Sequence, residues 1–364
     1  MTIAAQTIET LEFPKILEQL ARHAAFSASR ELALALRPGV DAYEVRAQLR
    51  MTTEARRLLD DRPEVSVGGA RDVRAAAGRA RRGGVLEAPA FLEIADTLAS
   101  ARRLRGTLLK LDEAAFPRLR ELAADLPSLP AIEEEIARTI GDDGTVLDSA
   151  SPKLGHLRAE VRIAFNRLQE KLQNMIASSQ YADALQEPII TVRNGRYVVP
   201  VKAGSRRVLR GLVHDQSASG ATLYIEPLAT VELNNKWREL QLAEEEEIAR
   251  ILAELSGKIG AEAARIVAGV EALAAIDLAF AKAKYAIALR GVEPEIVETT
   301  TDRRPPTTDA AQNSELKTQN SELAAAPLLL TQARHPFSSR FNSAAAVAGG
   351  TTTSGPRWAA VSAI

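Results

Sequence analysis

Cysteine is absent from the 364 residues. That excludes disulfides, thiolate zinc sites and cysteine nucleophiles, and it suits a reducing compartment. Aromatic side chains are scarce, at 4%, so any core must be built mainly from Ala and Leu, which favours long helices packed through small side chains. No apolar run approaches the ~20 residues that cross a bilayer. The opening MTIAAQTIETLEFPKI has no basic stretch of the kind that begins a secretory leader. Four histidines, His23, His156, His214 and His335, stand at no ligand spacing, and a metal site is not expected. Charge of one sign is not in excess either, with 46 Lys+Arg against 47 Asp+Glu. These absences predict a cytoplasmic protein of two or three domains with no membrane partner.

Against that balance one segment stands out. From Arg193 to His214 the chain carries six cations, Arg193, Arg196, Lys202, Arg206, Arg207 and Arg210, and no carboxylate. A local excess of one sign on a neutral background focuses potential on one surface, which suits a polyanion. Contacts of this kind are made to phosphates and are salt-sensitive and largely indifferent to sequence.

The island is β-rich inside a chain that is otherwise helical. Residues 7–126 read as successive amphipathic helices, with Leu11, Ile16, Leu17 and Leu20, then Val45, Leu49, Leu58 and Leu59, at helical spacing. Pro38-Gly39, Arg62-Pro63, Gly83-Gly84 and Pro127 are the predicted breaks. Ser151 and Pro152 form a helix start, and the spacing predicts one helix from there to about Leu185. The period then changes to alternation. Asn194-Gly195 between IITVR and RYVVPV is the strongest short signal of a type I′ hairpin. VLRGLVHDQ and ATLYIEP, joined by SASG, complete about four short strands. Helical pattern returns from Leu228 to about Leu289, with a break expected at Gly257–Gly260 and Glu246 paired to Arg250 one turn on. Two antiparallel arms of roughly 30 residues would hold the basic sheet about 45 Å from their base. Beyond Pro294 the chain becomes polar and carries a heptad repeat, QNSELKT then QNSEL at 312–323, which reads as a linker.

Several residues invite catalytic readings that their setting opposes. His214, Asp215, Ser217 and Ser219 lie within six residues. Neighbours on a strand point to opposite faces, so a relay is not expected, and Asp215 and the serines are read as closing a turn. Glu226, before Pro227, is read as a cap or anchor for the following helix. Phe91-Leu92-Glu93 sits in helical pattern, and mismatch recognition is not expected of it. Arg71, Arg74, Arg79, Arg81 and Arg82 form a second basic cluster, diluted by Asp72 and Glu87, and read as a solvated helix face.

RNGRYVVPVK, HDQSASGATLYIEP with the following VELNN, then AIDLAFAKAKYA and ARHPF resemble, in order, the second bacterial MutS family, MutS-two. TLEFPKILEQLARHAAFSASRELALALRP and GTVLDSASPKLGHLR fit as well. The resemblance implies a mainly α fold: a helical core plus long antiparallel helical lever arms carrying a small β-rich clamp subdomain. Mapped on this chain, the core takes 1–130, the first arm 131–187, the clamp 188–227, the second arm 228–292, the linker 293–327 and a stub 328–364. His214, Asp215, Gln216, Ser217, Ser219, Gly220, Glu226, Asn234 and Asn235 match the family motif, with structural roles. The resemblance further implies a homodimer, branched or duplex DNA or ribosomal RNA as partner, suppression of recombination, and rescue of collided ribosomes. An ATP- and magnesium-using P-loop and a Smr nuclease belong to intact members. Here the nearest stretch to that P-loop, residues 350–357, has Pro356 where lysine belongs and Arg357 where Ser/Thr belongs. No catalytic or cofactor-binding residue is therefore expected in this chain. A binding module without catalysis, or a non-functional gene product, remain alternatives.

Overall fold

A computed structural model describes residues 5–39, 41–296 and 328–329. The 312–323 repeat, most of the expected linker, the ARHPF segment with His335, and residues 350–357 lie outside the described residues. The architecture is mainly α with one four-stranded antiparallel sheet. Two compact units are formed. The first takes Met1–Gly78, Glu93–Pro130 and the chain from Glu262, and the second takes Arg79–Leu92 and Ala131–Ala261.

The first unit is helical. It holds α1 (Ala5–Thr10), α2 (Phe13–Arg22), α3 (Ser27–Ala35), α4 (Ala42–Asp61), most of α5 (Arg74–Arg81) and α6 (Ala88–Leu108), and α7 (Pro117–Ala124). The breaks predicted at Pro38-Gly39, Arg62-Pro63, Gly83-Gly84 and Pro127 fall between helices. Leu273, Ile276 and Phe280, from the last part of the longest helix, are buried among Leu58, Leu104, Leu108 and Leu119. Phe116, at the start of α7, has no capping side chain. Glu54 of α4 supplies the acceptor instead, its buried carboxylate taking the N–H groups of Arg118 at 3.2 Å and Leu119 at 2.9 Å. Phe91 is fully buried in α6, which makes it a core position.

Asp277 is another buried acid of this unit. Its carboxylate accepts the Ala25 N–H at 2.6 Å and the Ser29 hydroxyl, tying the long helix to the α2–α3 turn. Burial pushes its carboxyl above the ordinary value of 3.8, against the downward pull of those hydrogen bonds. The folded protein therefore holds this proton more tightly than the unfolded chain does. The resulting stability is fully present below pH 3.8 and is lost as pH rises through the raised value. Thermal melts should show the wild type gaining on Asp277→Asn as pH falls from 7 towards 4. Parallel pH curves for the two would remove Asp277 from this role.

The second unit is built on two antiparallel helices. These are α9 (Pro152–Ile176) and the first part of α11 (Val231–Leu289), preceded by α8 (Pro130–Thr139). Ser151 caps α9 by accepting the Leu154 N–H at 3.0 Å, and its hydroxyl also donates to Glu247 of α11 at 2.8 Å. Glu247 is buried and accepts from Arg250 at 2.6 Å and Lys153 at 3.1 Å. The Arg250 hydrogen bond is the main cause that holds its carboxyl down at about 2. Arg250 thus pairs with Glu247 and, at 2.5 Å, with Glu254 rather than with the expected Glu246.

Further along, Arg158 meets Glu244 at 2.9 Å. Leu157 and Val161 pack with Leu240, Trp237 and Ala243.

Two helix boundaries differ from expectation. α9 stops at Ile176, because Ser178 caps a new one-turn helix, α10 (Ser179–Ala182), by accepting the Gln180 N–H at 3.3 Å. The chain then buries Leu185 against the sheet, bridged to Val201. In contrast, α11 passes through Gly257 and Gly260 unbroken. Gly260 marks a close approach, since a Cβ there would stand 2.6 Å from the Ala80 carbonyl oxygen.

Candidate nucleic-acid interface

The sheet is β1 (Thr191–Arg193), β2 (Arg196–Lys202), β3 (Gly211–Gln216) and β4 (Thr222–Pro227), in the order β1-β2-β4-β3. Asn194 and Gly195 both have positive φ, 51° and 73°, as a type I′ turn requires. Val199 and Val201 lie opposite Ile225 and Leu223. This inner face packs on Leu168 and Leu172 of α9 and on Leu185. Rings of Phe165, Tyr197 and Trp237, with centroids 5.0–6.2 Å apart, join the sheet to both helices.

Tyr224 and Glu226 alternate to the outer face. Glu226 is fully buried there and serves two donors. One oxygen accepts from Arg196 at 3.2 Å and the other lies 2.6 Å from the His214 Nε2. Arg196 also donates to Asn235, in the first turn of α11, at 2.6 Å. Asn234 pairs its amide with both the N–H and the carbonyl of Tyr197, at 3.1 Å each, as an added strand would. The expected anchoring of the following helix by Glu226 thus runs indirectly, through Arg196 to Asn235.

A bulge between Val213 and Asp215 shifts the register. An extra residue on one strand breaks the strict alternation of faces. Consequently His214 reaches Glu226, while Asp215, opposite Tyr224, pairs with Arg193 at 3.2 Å. Both act on the face of Tyr224 and Glu226, contrary to the alternation assumed from sequence, yet they bond to different partners and form no relay. The Arg193 guanidinium also lies over the Tyr224 ring, 4.1 Å from its centroid. Ser217 closes the β3–β4 loop by accepting the Thr222 N–H at 3.1 Å, with Ser219 3.4 Å from its oxygen and Gly220 at φ 74°. The Gln216 N–H donates to the Asp215 carboxylate at 2.8 Å.

The six cations of the island therefore stand in different electrostatic settings. Arg193 and Arg196 are ion-paired on the outer face, and Lys202 donates to the Asp183 carbonyl at 3.0 Å. Arg206, Arg207 and Arg210 sit on the connection between β2 and β3, which must cross β4 because these two strands are parallel to each other. Leu209 plugs this crossover into the inner-face core, and the Arg210 carbonyl accepts the Leu228 N–H at 3.0 Å. The three guanidinium groups are exposed and have no carboxylate partner among the described residues. Val208 between them is 52% exposed. Reading the sequence missed Glu226 as the shared acceptor; a lone acid in the apolar strand TLYIEP, near unbalanced cations, was the available signal.

A mostly helical body with a basic sheet mounted on paired helices defines the class. No model of a known protein family matches the chain. Curated relatives do. The "Endonuclease MutS2" of Symbiobacterium thermophilum is 45% identical over 292 residues, covering 80% of this chain and 36% of the relative. That of Thermomicrobium roseum is 42% identical over 298 residues, 81% of this chain and 37% of its own. That of Geobacillus thermodenitrificans is 44% identical over 291 residues, 79% and 37%. The chain belongs to the MutS2 family and spans little more than a third of the length of these relatives. Among the described residues no helix is long and apolar enough to cross a membrane.

Proposed function

We propose that this chain binds nucleic acid through the β2–β3 crossover, as the core, lever and clamp portion of a MutS2 protein. The observation that carries the reading is the set of three exposed arginines, Arg206, Arg207 and Arg210, without counter-ions among the described residues, on a backbone fixed by Leu209. Phosphates supply the missing acceptors, while Arg193 and Arg196 keep the module in shape. The contact needs neither ATP nor magnesium, and it accepts branched or duplex DNA and ribosomal RNA alike, because it reads backbone charge. Cleavage of DNA, suppression of recombination and action on stalled ribosomes would belong to the longer protein.

The test is a salt series. The variant carrying Arg206→Ala, Arg207→Ala and Arg210→Ala should bind branched DNA about tenfold or more weakly near physiological salt, and its plot of log affinity against log salt should flatten by about two to three. Arg193→Ala, which removes an already paired cation, should do less. Unchanged affinity and slope in the triple variant would end this reading.

A further inference from the structure

We propose that Arg79, Arg81 and Arg82 form a second nucleic-acid contact in the same unit, so that one nucleic acid is held at two points about 44 Å apart. This rests on the reading of the β2–β3 crossover as a phosphate-binding surface.

Between Val73 and Leu92 the chain has four arginines and one carboxylate, Glu87. Arg74 is taken up by Asp72 at 2.6 Å and Glu31 at 2.8 Å. Arg79, Arg81 and Arg82 are exposed and have no carboxylate partner among the described residues. Their backbone is fixed. The Gly83 N–H donates to the Ala80 carbonyl at 2.9 Å and the Gly84 N–H to the Arg79 carbonyl at 3.0 Å, with Gly83 at φ 80°. The carbonyl end of α5 favours cations, but it leaves their guanidinium N–H groups open to an external anion.

The long helix sets the spacing. Ala80 lies against Gly260, and Arg210 is bonded to Leu228, just before the helix begins at Val231. From Val231 to Gly260 the helical rise is about 44 Å. Duplex DNA carries one charge per ~1.7 Å of axis and one base pair per ~3.4 Å, so about 13 base pairs bridge that distance. Three arginines at either end make a weak contact. Two such contacts on one rigid ligand reinforce each other through effective concentration, but only when the ligand reaches both.

The experiment measures binding of the 364-residue chain to DNA duplexes of about 8 and about 16 base pairs at fixed salt. The wild type should bind the longer duplex at least tenfold more tightly, beyond the gain expected from extra sites. The variant with Arg79→Ala, Arg81→Ala and Arg82→Ala should keep the crossover's affinity for the short duplex and lose the step. A step equal to that of the wild type would overturn the proposal, and so would an equal loss at both lengths, which marks a general charge effect. If the crossover triple variant also binds both duplexes as the wild type does, the reading of the crossover itself fails, and the two failures are told apart.

Discussion

Replacing Glu226 by alanine should destabilise the sheet by about 3–5 kcal/mol, the loss seen when one partner of a buried ionic network is removed. The carboxylate is fully buried and is the acceptor for both Arg196 and His214, whose side chains are only 28% and 20% exposed. Alanine leaves both donors without their buried acceptor and frees Arg196 to pull on Asn235 alone. Four elements lose a common tie: β2, β3, β4 and the start of α11. Glu226→Gln should cost less, because it keeps one carbonyl acceptor and the shape, although its amide would oppose one of the two donors. Urea unfolding followed by Trp237 fluorescence reports directly, since Trp237 packs on Tyr197 at 5.0 Å where the sheet joins the helices. The alanine variant should also bind nucleic acid more weakly, with Arg206, Arg207 and Arg210 untouched. A midpoint equal to that of the wild type would mean that the network does not hold the module together.

Opposite signs are expected for two glycines three residues apart in α11. Gly257 is exposed, and a Cβ there would meet nothing within 4 Å. Gly257→Ala should therefore stabilise by about 0.5–1 kcal/mol, the helix-interior difference between the two residues. Gly260→Ala must instead push a methyl to 2.6 Å from the Ala80 oxygen and 3.0 Å from its carbonyl carbon. Backbone cannot yield as a side-chain tip can, so a loss of about 1–3 kcal/mol is expected, and more for Gly260→Val. Denaturant midpoints of the pair decide the matter. Two changes of the same sign would show that the α5–α11 approach is not as close as described.

Much of the organisation was legible in the amino-acid order because it rests on short-range physics. The I′ hairpin at Asn194-Gly195 needs only two residues that tolerate positive φ. The start of α9 needs only Ser151 and Pro152 beside one another, and the breaks at Pro38-Gly39, Arg62-Pro63, Gly83-Gly84 and Pro127 need only residues that end helices. The apolar stripe of α9, from Leu154 through Leu168 to Leu172, is buried where its period placed it. Less local features were misread. A helix break was expected at Gly257–Gly260 because glycine weakens helices, and the cause of Gly260 lies some 180 residues away at Ala80. The long helix after Ser151 was extended too far because the capping at Ser178 and the burial of Leu185 depend on a sheet that had yet to be assembled.

By itself the sequence determined the periods, the turns and the excess of cations between Arg193 and His214, since each is a property of neighbours along the chain. Only the tertiary structure decided which cations are free. A bulge and a crossover place Arg193 and Arg196 beside Asp215 and Glu226 and leave Arg206, Arg207 and Arg210 without a carboxylate partner among the described residues. The reason is that pairing falls off with distance in space, and a carboxylate 30 residues distant can lie 3.2 Å from a guanidinium once strands align.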